Sequence, residues 1–431
     1  MKPGEILTLV IDKPASGGRM IARADGQVVL IAGAIPGERA RVRIERVAKG
    51  VAYGDAIEIE SPSSDRREPS GDPICGGNLY AHIAYQRQLE IKSQVVADAL
   101  ARIGRIAWSP TIRVAPSRED GYRMRARLHL RDGRVGFFRE GSHQMCDARA
   151  TRQLLPLTCD LLDELESALQ SVNVRAEIEL SENTDASERV IHLEAERPIP
   201  PSSLAMVAAV AGVTGFTTSR PQGGFLHAAP VRGEPFVRDV VAVAGTEMVL
   251  RRHVLSFFQN NRYLLGDLVS HVLDQIVTGD DVVDLYAGVG LFAIAAAAGR
   301  SARVTAVEGD RFAATDLAAN AVATHGAVDA VHQPVEVFVS HPRPAPAVLI
   351  VDPPRTGMSR EAIEGAIALA ARRVIYVSCD VATLARDARR LVDAGYGIEC
   401  IDGFDLFPNT PHVEVVAVFS SMRSTVSASR G

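Results

Sequence analysis

Short β-prone runs broken by glycine and proline fill the first sixty residues. Glu5–Ile11, Gln27–Ala32 and Ala40–Val47 read as strands, with turns at Ser16-Gly17-Gly18 and Pro36-Gly37. Residues 1–60 are therefore expected to form a small all-β barrel. In the third run Arg39, Arg41 and Arg43 alternate with Ala40, Val42 and Ile44. The twofold period of a strand sends the arginines to one face and the apolar residues to the other. Such a face is either a phosphate-contacting surface or a solvated exterior.

The polar, proline-containing stretch Ser61–Asp72 marks a boundary, and 61–245 reads as a central α/β region. Leu89, Val96, Leu100 and Ile103 recur near helical spacing, predicting a helix over Tyr85–Ile103 that Gly104 stops. Tyr122–Phe138 predicts a hairpin turning at Asp132-Gly133. Its first arm, with Arg123, Arg125, Arg127, His129 and Arg131, is a second one-sided basic strand. A further helix is expected around Leu161–Val172. Over 246–421 strands alternate with helices, the mark of a doubly wound, Rossmann-like parallel sheet. The small polar tail, 422–431, is expected to be disordered. The fold class is thus α/β: a small barrel, a central α/β region and a C-terminal doubly wound sheet.

Composition narrows the function classes without choosing among them. The chain has 431 residues, 47% of them hydrophobic and 23% charged, as in a soluble globular protein. Its net charge of −5 gives no global nucleic-acid signature, so such binding must rest on local patches. Five widely spaced cysteines (Cys75, Cys146, Cys159, Cys379, Cys400) do not read as a disulfide framework. With no leader-like start and no apolar run of membrane length, the protein is expected to be cytoplasmic, monomeric and free of the membrane.

The chemistry gathers at predicted strand ends. Val282–Leu285 runs into Tyr286-Ala287-Gly288-Val289-Gly290 and an alanine-rich helix; glycines there admit close ligand approach. The next strand, Val304–Val307, ends in Glu308, an acid placed to accept from a ribose diol. These features fit a dinucleotide or S-adenosylmethionine. Downstream, Val348–Val351 ends in Asp352-Pro353-Pro354-Arg355, and Val374–Val377 ends in Ser378-Cys379. A lone cysteine is ordinarily a buried thiol, but one at the carboxyl edge of a parallel sheet sits where ligands bind. Uracil C5 is too weak a nucleophile to attack a methyl sulfonium unaided. A thiolate adding to C6 activates it, and a base must then remove the C5 proton. Cys379 and Glu414, the latter just ahead of the apolar run Val415–Phe419, fill those two needs.

The C-terminal part resembles the RNA (uracil-C5)-methyltransferase family of bacterial tRNA and large-subunit rRNA. The matching stretches, in the family's order, are Phe257-Phe258-Gln259-Asn260-Asn261, Asp284–Gly290, Asp352–Arg355, Ser378-Cys379 with Ala382–Asp387, and His412-Val413-Glu414. Residues 1–60 resemble the RNA-binding TRAM domain that many members carry. The resemblance implies Cys379 as nucleophile and Glu414 as base. It implies S-adenosylmethionine contacts at Gln259, Tyr286, Glu308 and Asp352, with Gly288 and Gly290 shaping the loop, and RNA (rRNA or tRNA) as partner.

Two departures stand out. Leu291 occupies a place where relatives often have asparagine. Members with a [4Fe–4S] cluster show Cys-x5-Cys-Gly-Gly-Cys and a distant fourth cysteine. Here Pro69 and Asn78 replace two of these, leaving Cys75 and Cys146, too few for the four thiolates a cluster takes. No cluster and no other metal is expected. The rival readings are an RNA amino-methyltransferase, a cytosine-C5 methyltransferase, and an RNA-binding or RNA-folding factor with lost or incidental methylation. The first needs no cysteine, and the second places Pro-Cys where this chain has Asp352-Pro353-Pro354. Joint retention of Cys379 and Glu414 speaks against the third.

Overall fold

The computed structural model describes residues 1–69, 72, 75–139, 142–172, 174–222, 225–243 and 245–422. Nearly all of the tail expected to be disordered lies outside them.

Residues 6–61 form a six-stranded sheet. Its order is Ile6–Val10, Arg39–Ala48, Val51–Ser61, Gln27–Ala32, Met20–Ala24, Lys13–Pro14. Strand alternation buries Ala40, Val42 and Ile44 with Leu9, Met20, Val29 and Ile31 in one apolar interior. Arg39, Arg41 and Arg43 point outward, as the period predicts. They do not make a bare cationic face, because Glu60, Glu58 and Glu45 pair with them at 2.9, 2.6 and 2.8 Å.

Between this sheet and residue 115 the chain packs largely against the C-terminal region. The helix Tyr85–Arg102 buries Ile91, Val95, Val96, Ala99 and Leu100 in the same core as Leu384, Ala388 and Leu391 of the helix Val381–Asp393. Val114–Ala115 then pairs in parallel with Gly403-Phe404 as the outermost strand of the C-terminal sheet. An amphipathic stripe fixes that a helix must be covered, not by what.

The central sheet has seven strands between Arg125 and Gly233. Two helices, Pro156–Leu169 and Pro201–Ala208, cover one face, where Leu161, Leu165 and Val207 meet Leu128, Ile178 and Leu193. The hairpin turns where expected. Arg131 pairs with Arg134, and Asp132 and Gly133 take positive φ values of 51° and 74°, the two-residue turn that matches strand twist. On the open face Arg125 pairs with Glu179 at 3.4 Å, while Arg127 and Arg131 share Glu177 at 3.3 and 2.6 Å. The second basic strand is therefore also neutralised by its neighbour.

The C-terminal sheet has eight strands. Their order is Val328–His332, Arg303–Glu308, Asp281–Leu285, Val348–Val351, Arg373–Ser378, Glu414–Ser421, Tyr396–Phe404, Val114–Ala115. The first five run parallel; Glu414–Ser421 is antiparallel to both its neighbours. At the centre of the sheet Val348–Val351 and Val374–Val377 are buried, because helices cover both faces.

One sequence expectation needs correcting. Cys75 and Cys146, 71 residues apart, form a disulfide. A β-bridge from Cys75 to Arg139, and the strand Met145–Asp147 beside Arg134–Phe138, bring the two thiols together. Cysteine spacing carries no trace of either pairing. Cys159, Cys379 and Cys400 are free.

Candidate active site

A cavity of about 670 Å³ opens at the carboxyl ends of the parallel strands. That is the crevice in which open α/β sheets bind ligands, and the volume suits a small-molecule site. Gln259, Tyr286, Gly288, Glu308, Asp352, Cys379 and Glu414 all line it, although they come from well-separated stretches of chain. Gly290 does not. It caps the helix Leu291–Arg300 at φ 95°, and a Cβ there would lie 2.8 Å from Leu317 Cδ1. Its glycine serves helix packing behind the wall rather than the ligand face.

Sheet register explains how Cys379 and Glu414 meet. Arg373–Ser378 and Glu414–Ser421 are antiparallel, with Ser378 opposite Val415. Cys379 directly follows Ser378 and Glu414 directly precedes Val415, so the two lie at the same end of the strand pair, and both line the cavity. Glu414 is 2% exposed; Cys379 is half-buried. Arg355, at the end of the Asp-Pro-Pro turn, lies near the thiol in the cavity wall and favours its ionised form.

The electrostatics follow from burial. Desolvation pushes the Cys379 thiol up to about 12; the nearby Glu414 charge adds to this and the Arg355 guanidinium opposes it. Burial, then the charge of Asp352, drives Glu414 well above the ordinary carboxylate range. Asp352 itself rises to about 7 through burial, against the hydrogen bond that Gln259 Nε2 donates to it at 3.2 Å. His412, stacked edge-on to Phe407, is held neutral by burial, its value lowered to about 4. Cys379 and Glu414 are thus both biased toward their protonated forms, and a thiolate must be drawn out against that bias.

The other end of the cavity fits a nucleoside. Gly288 has φ 58°, and a Cβ there would meet nothing within 4 Å, so bare backbone faces the cavity. Glu308 accepts from the amides of Gly288 at 2.7 Å and Asp310 at 2.6 Å. Each oxygen keeps a lone pair for a ribose hydroxyl. Leu255, Leu291, Phe292 and Ala313 supply apolar wall. Leu291 thus joins the cavity as a hydrophobic surface, not as a polar contact. These residues suit an adenosyl group with a short charged arm.

Some cavity residues carry no legible sequence signal. Arg123 belongs to the hairpin's basic arm by pattern, yet regular pairing starts only at Arg125. An isolated bridge from Arg123 to Asn261 swings it into the cavity. Asp310 was detectable as a helix cap; it accepts from the amides of Phe312 and Ala313.

Residues 1–57 match the TRAM domain, and residues 345–422 match the tRNA (Uracil-5-)-methyltransferase family. An RNA methyltransferase of Streptomyces avermitilis, itself uncharacterized, is 32% identical across 96% of this chain and 98% of its own. The 23S rRNA (uracil(1939)-C(5))-methyltransferase RlmD of Bordetella bronchiseptica is 31% identical across 94% of this chain and 91% of its own. This chain belongs to the RNA (uracil-C5)-methyltransferase family. The crystal structure of Pyrococcus abyssi tRNA (uracil-54, C5)-methyltransferase, in complex with S-adenosyl-L-homocysteine, shares the fold. It has a TM-score of 0.73 and 24% identity over 95% of this chain and 99% of that one. Members of the family are S-adenosylmethionine-dependent enzymes that methylate uracil in RNA. Among the described residues no helix is long and apolar enough to cross a membrane.

Proposed function

We propose that this protein transfers the methyl group of S-adenosylmethionine to C5 of a uridine in rRNA or tRNA through a covalent adduct on Cys379. The observation that carries the reading is that Cys379 and Glu414, from the same end of neighbouring strands, line one cavity whose other end suits a nucleoside.

Gln259, Tyr286, Gly288, Glu308 and Asp352 would hold the cofactor, with Glu308 on the ribose. When bound there, it supplies an electrophilic methyl group on a sulfonium. A base reaches Cys379 only when unstacked and flipped into the cavity. The Cys379 thiolate forms a bond to uracil C6, and the C5=C6 electron pair moves toward O4 as an enolate. Arg123 and Arg355, two guanidiniums in the cavity wall, can stabilise that negative charge. C5 of the enolate would then bond to the methyl group, whose bond to the sulfonium sulfur breaks to leave a neutral thioether. Glu414, once ionised, removes the C5 proton; the double bond re-forms, the sulfur–C6 bond breaks and the thiolate returns. The proton on Glu414 leaves to solvent before the next turnover. Residues 1–60 are the candidate docking module for RNA, supported by their match to the TRAM domain.

The test is transfer of labelled methyl to unmodified rRNA and tRNA fractions, wild type beside Cys379→Ala, with nucleoside analysis. Label in 5-methyluridine that disappears in the variant is expected, and the labelled fraction names the RNA class. Label in another nucleoside, or activity surviving without the thiol, overturns the covalent route. Cofactor binding without transfer to any RNA favours an RNA-binding factor.

A further inference from the structure

Arg123 enters the cavity from outside the catalytic sheet, and two oxygens hold its side chain there. Nη1 donates to Gln153 Oε1 at 2.6 Å, and Nε donates to the carbonyl of Arg125 at 2.8 Å. Neither acceptor is a carboxylate. Meanwhile Arg355, a second cation in the same wall, repels it, against the weaker attraction of Glu179. A desolvated guanidinium beside a like charge stays in place only if its geometry is imposed from outside.

Gln153 imposes it. The residue is 2% exposed, and its Oε1 also accepts from Tyr122 Oη at 3.2 Å. Its backbone carbonyl accepts from the Arg123 amide at 2.9 Å, so both ends of Gln153 grip the same residue. Behind it stands the turn Cys75-Gly76-Gly77-Asn78, which the reaction chemistry leaves without a role. A Cβ on Gly77 would lie 1.9 Å from Gln153 Nε2 and 2.5 Å from Cδ, so only glycine leaves the amide room. The turn is anchored on both sides. Cys75 is joined to Cys146, and the Tyr80 amide donates at 2.8 Å to the carbonyl of Asn409, in the loop that leads to Glu414.

We propose that Gln153 is a positioning residue. Braced by Gly77, it holds the Arg123 guanidinium near Arg355 in the cavity wall, where a uracil oxygen meets fixed N–H donors. The inference rests on reading the cavity as a uridine site.

The test combines steady-state methyl transfer at saturating cofactor with S-adenosylhomocysteine calorimetry and thermal melts. The variants are Gln153→Leu, Gln153→Glu, Arg123→Met and the Gln153→Leu/Arg123→Met double. Gln153→Leu is expected to lower kcat/KM for RNA at least tenfold, mainly through KM, with cofactor affinity and melting unchanged. Gln153→Glu, which keeps an acceptor for Arg123, should restore the value to within threefold. In the Arg123→Met background, Gln153→Leu should cost less than twofold. Equal losses in both backgrounds, or cofactor affinity and melting falling with activity, overturn the positioning role. Wild-type protein that binds cofactor but methylates no uridine overturns the functional reading itself, and this role with it.

Discussion

Cys379 and Glu414 lie at the same end of an antiparallel strand pair, immediately past Ser378 and Val415, and line one cavity. Both are desolvated, and the Glu414 charge raises the cost of ionising the thiol. In the proposed route one of them bonds to the base and the other removes its proton.

That division of labour predicts an adduct that stalls. In Glu414→Gln the methyl group should still reach C5, but the C5 proton has nowhere to go. Turnover should fall by about 10²–10⁴-fold, as for loss of a general base. Labelled methyl should accumulate in a protein–RNA band on denaturing gels. A variant that loses turnover without such a band places Glu414 before methyl transfer, not after it.

The pH dependence follows from the thiol. With Cys379 pushed up to about 12 in the free protein, the reactive thiolate grows with pH across the working range. kcat/KM for RNA should rise about tenfold per pH unit from about pH 6 to 8. The Arg355 cation lowers the thiol's pKa, so removing it raises that pKa. Arg355→Met should displace the rise to higher pH. At fixed pH the rate should then fall about tenfold for every pH unit of that displacement. A profile unchanged by the substitution would separate Arg355 from thiolate formation.

Glu308 offers a test of the nucleoside end. Glu308→Ala removes a carboxylate that orders the Gly288 and Asp310 amides and can accept from a ribose hydroxyl. Losing hydrogen bonds to a charged group costs about 1.5–3 kcal/mol each. S-adenosylhomocysteine affinity should therefore fall by about one to two orders of magnitude by calorimetry, with RNA affinity unaffected. Equal weakening of both ligands would mean a collapsed cavity.

The Cys75–Cys146 bond closes a loop across 71 positions of sequence. Loop-closure entropy for that length corresponds to about 4 kcal/mol of stabilisation, although disulfides range from about 0 to 5. Cys75→Ser should lower denaturant stability by about that amount under oxidising conditions. Under reducing conditions the variant and wild type should match. A gap that persists in reductant would locate the loss in packing at Cys75, which is fully buried.

Lys92 and Asp405 form an ion pair of 2.5 Å with 1% and 0% of their side chains exposed. Lys92 also donates to the carbonyl of Phe407 at 3.1 Å, tying the helix Tyr85–Arg102 to the loop ahead of Glu414. Lys92→Met strands a buried carboxylate and should cost about 3–5 kcal/mol in denaturant melts. Adding Asp405→Leu should recover much of the loss. Failure of the pair to recover would show that the loop needs the hydrogen bond to Phe407 more than charge balance.

Local pattern made the secondary structure legible. Alternating Arg39–Ile44 specified a strand with the correct inward face, Asp132-Gly133 specified a hairpin turn, and Val374–Val377 ending at Cys379 marked the strand that carries the thiol. These are period-two and turn signals that depend on nearest neighbours only. Site residues were legible for a related reason: Gly288, Glu308, Asp352 and Cys379 each sit just past an apolar run. A parallel sheet gathers such ends at one edge.

What lay outside sequence reach was every choice of partner. The chain shows one-sided arginines on Arg39–Arg43 and Arg125–Arg131, but only strand pairing shows that Glu58, Glu60, Glu177 and Glu179 neutralise them. It shows an amphipathic helix at Tyr85–Arg102, but not that the helix packs on Val381–Asp393. It shows Cys75 and Cys146, but not their bond. The amino-acid sequence by itself determined the elements, their buried faces and the strand ends that bear chemistry, because propensity and periodicity are local. Tertiary structure alone decided that Glu414 and Cys379 line one cavity, that Arg123 leaves its strand for the cavity and that Gly77 backs Gln153. Those contacts join residues tens to hundreds of positions apart, and only sheet register and core packing bring them together.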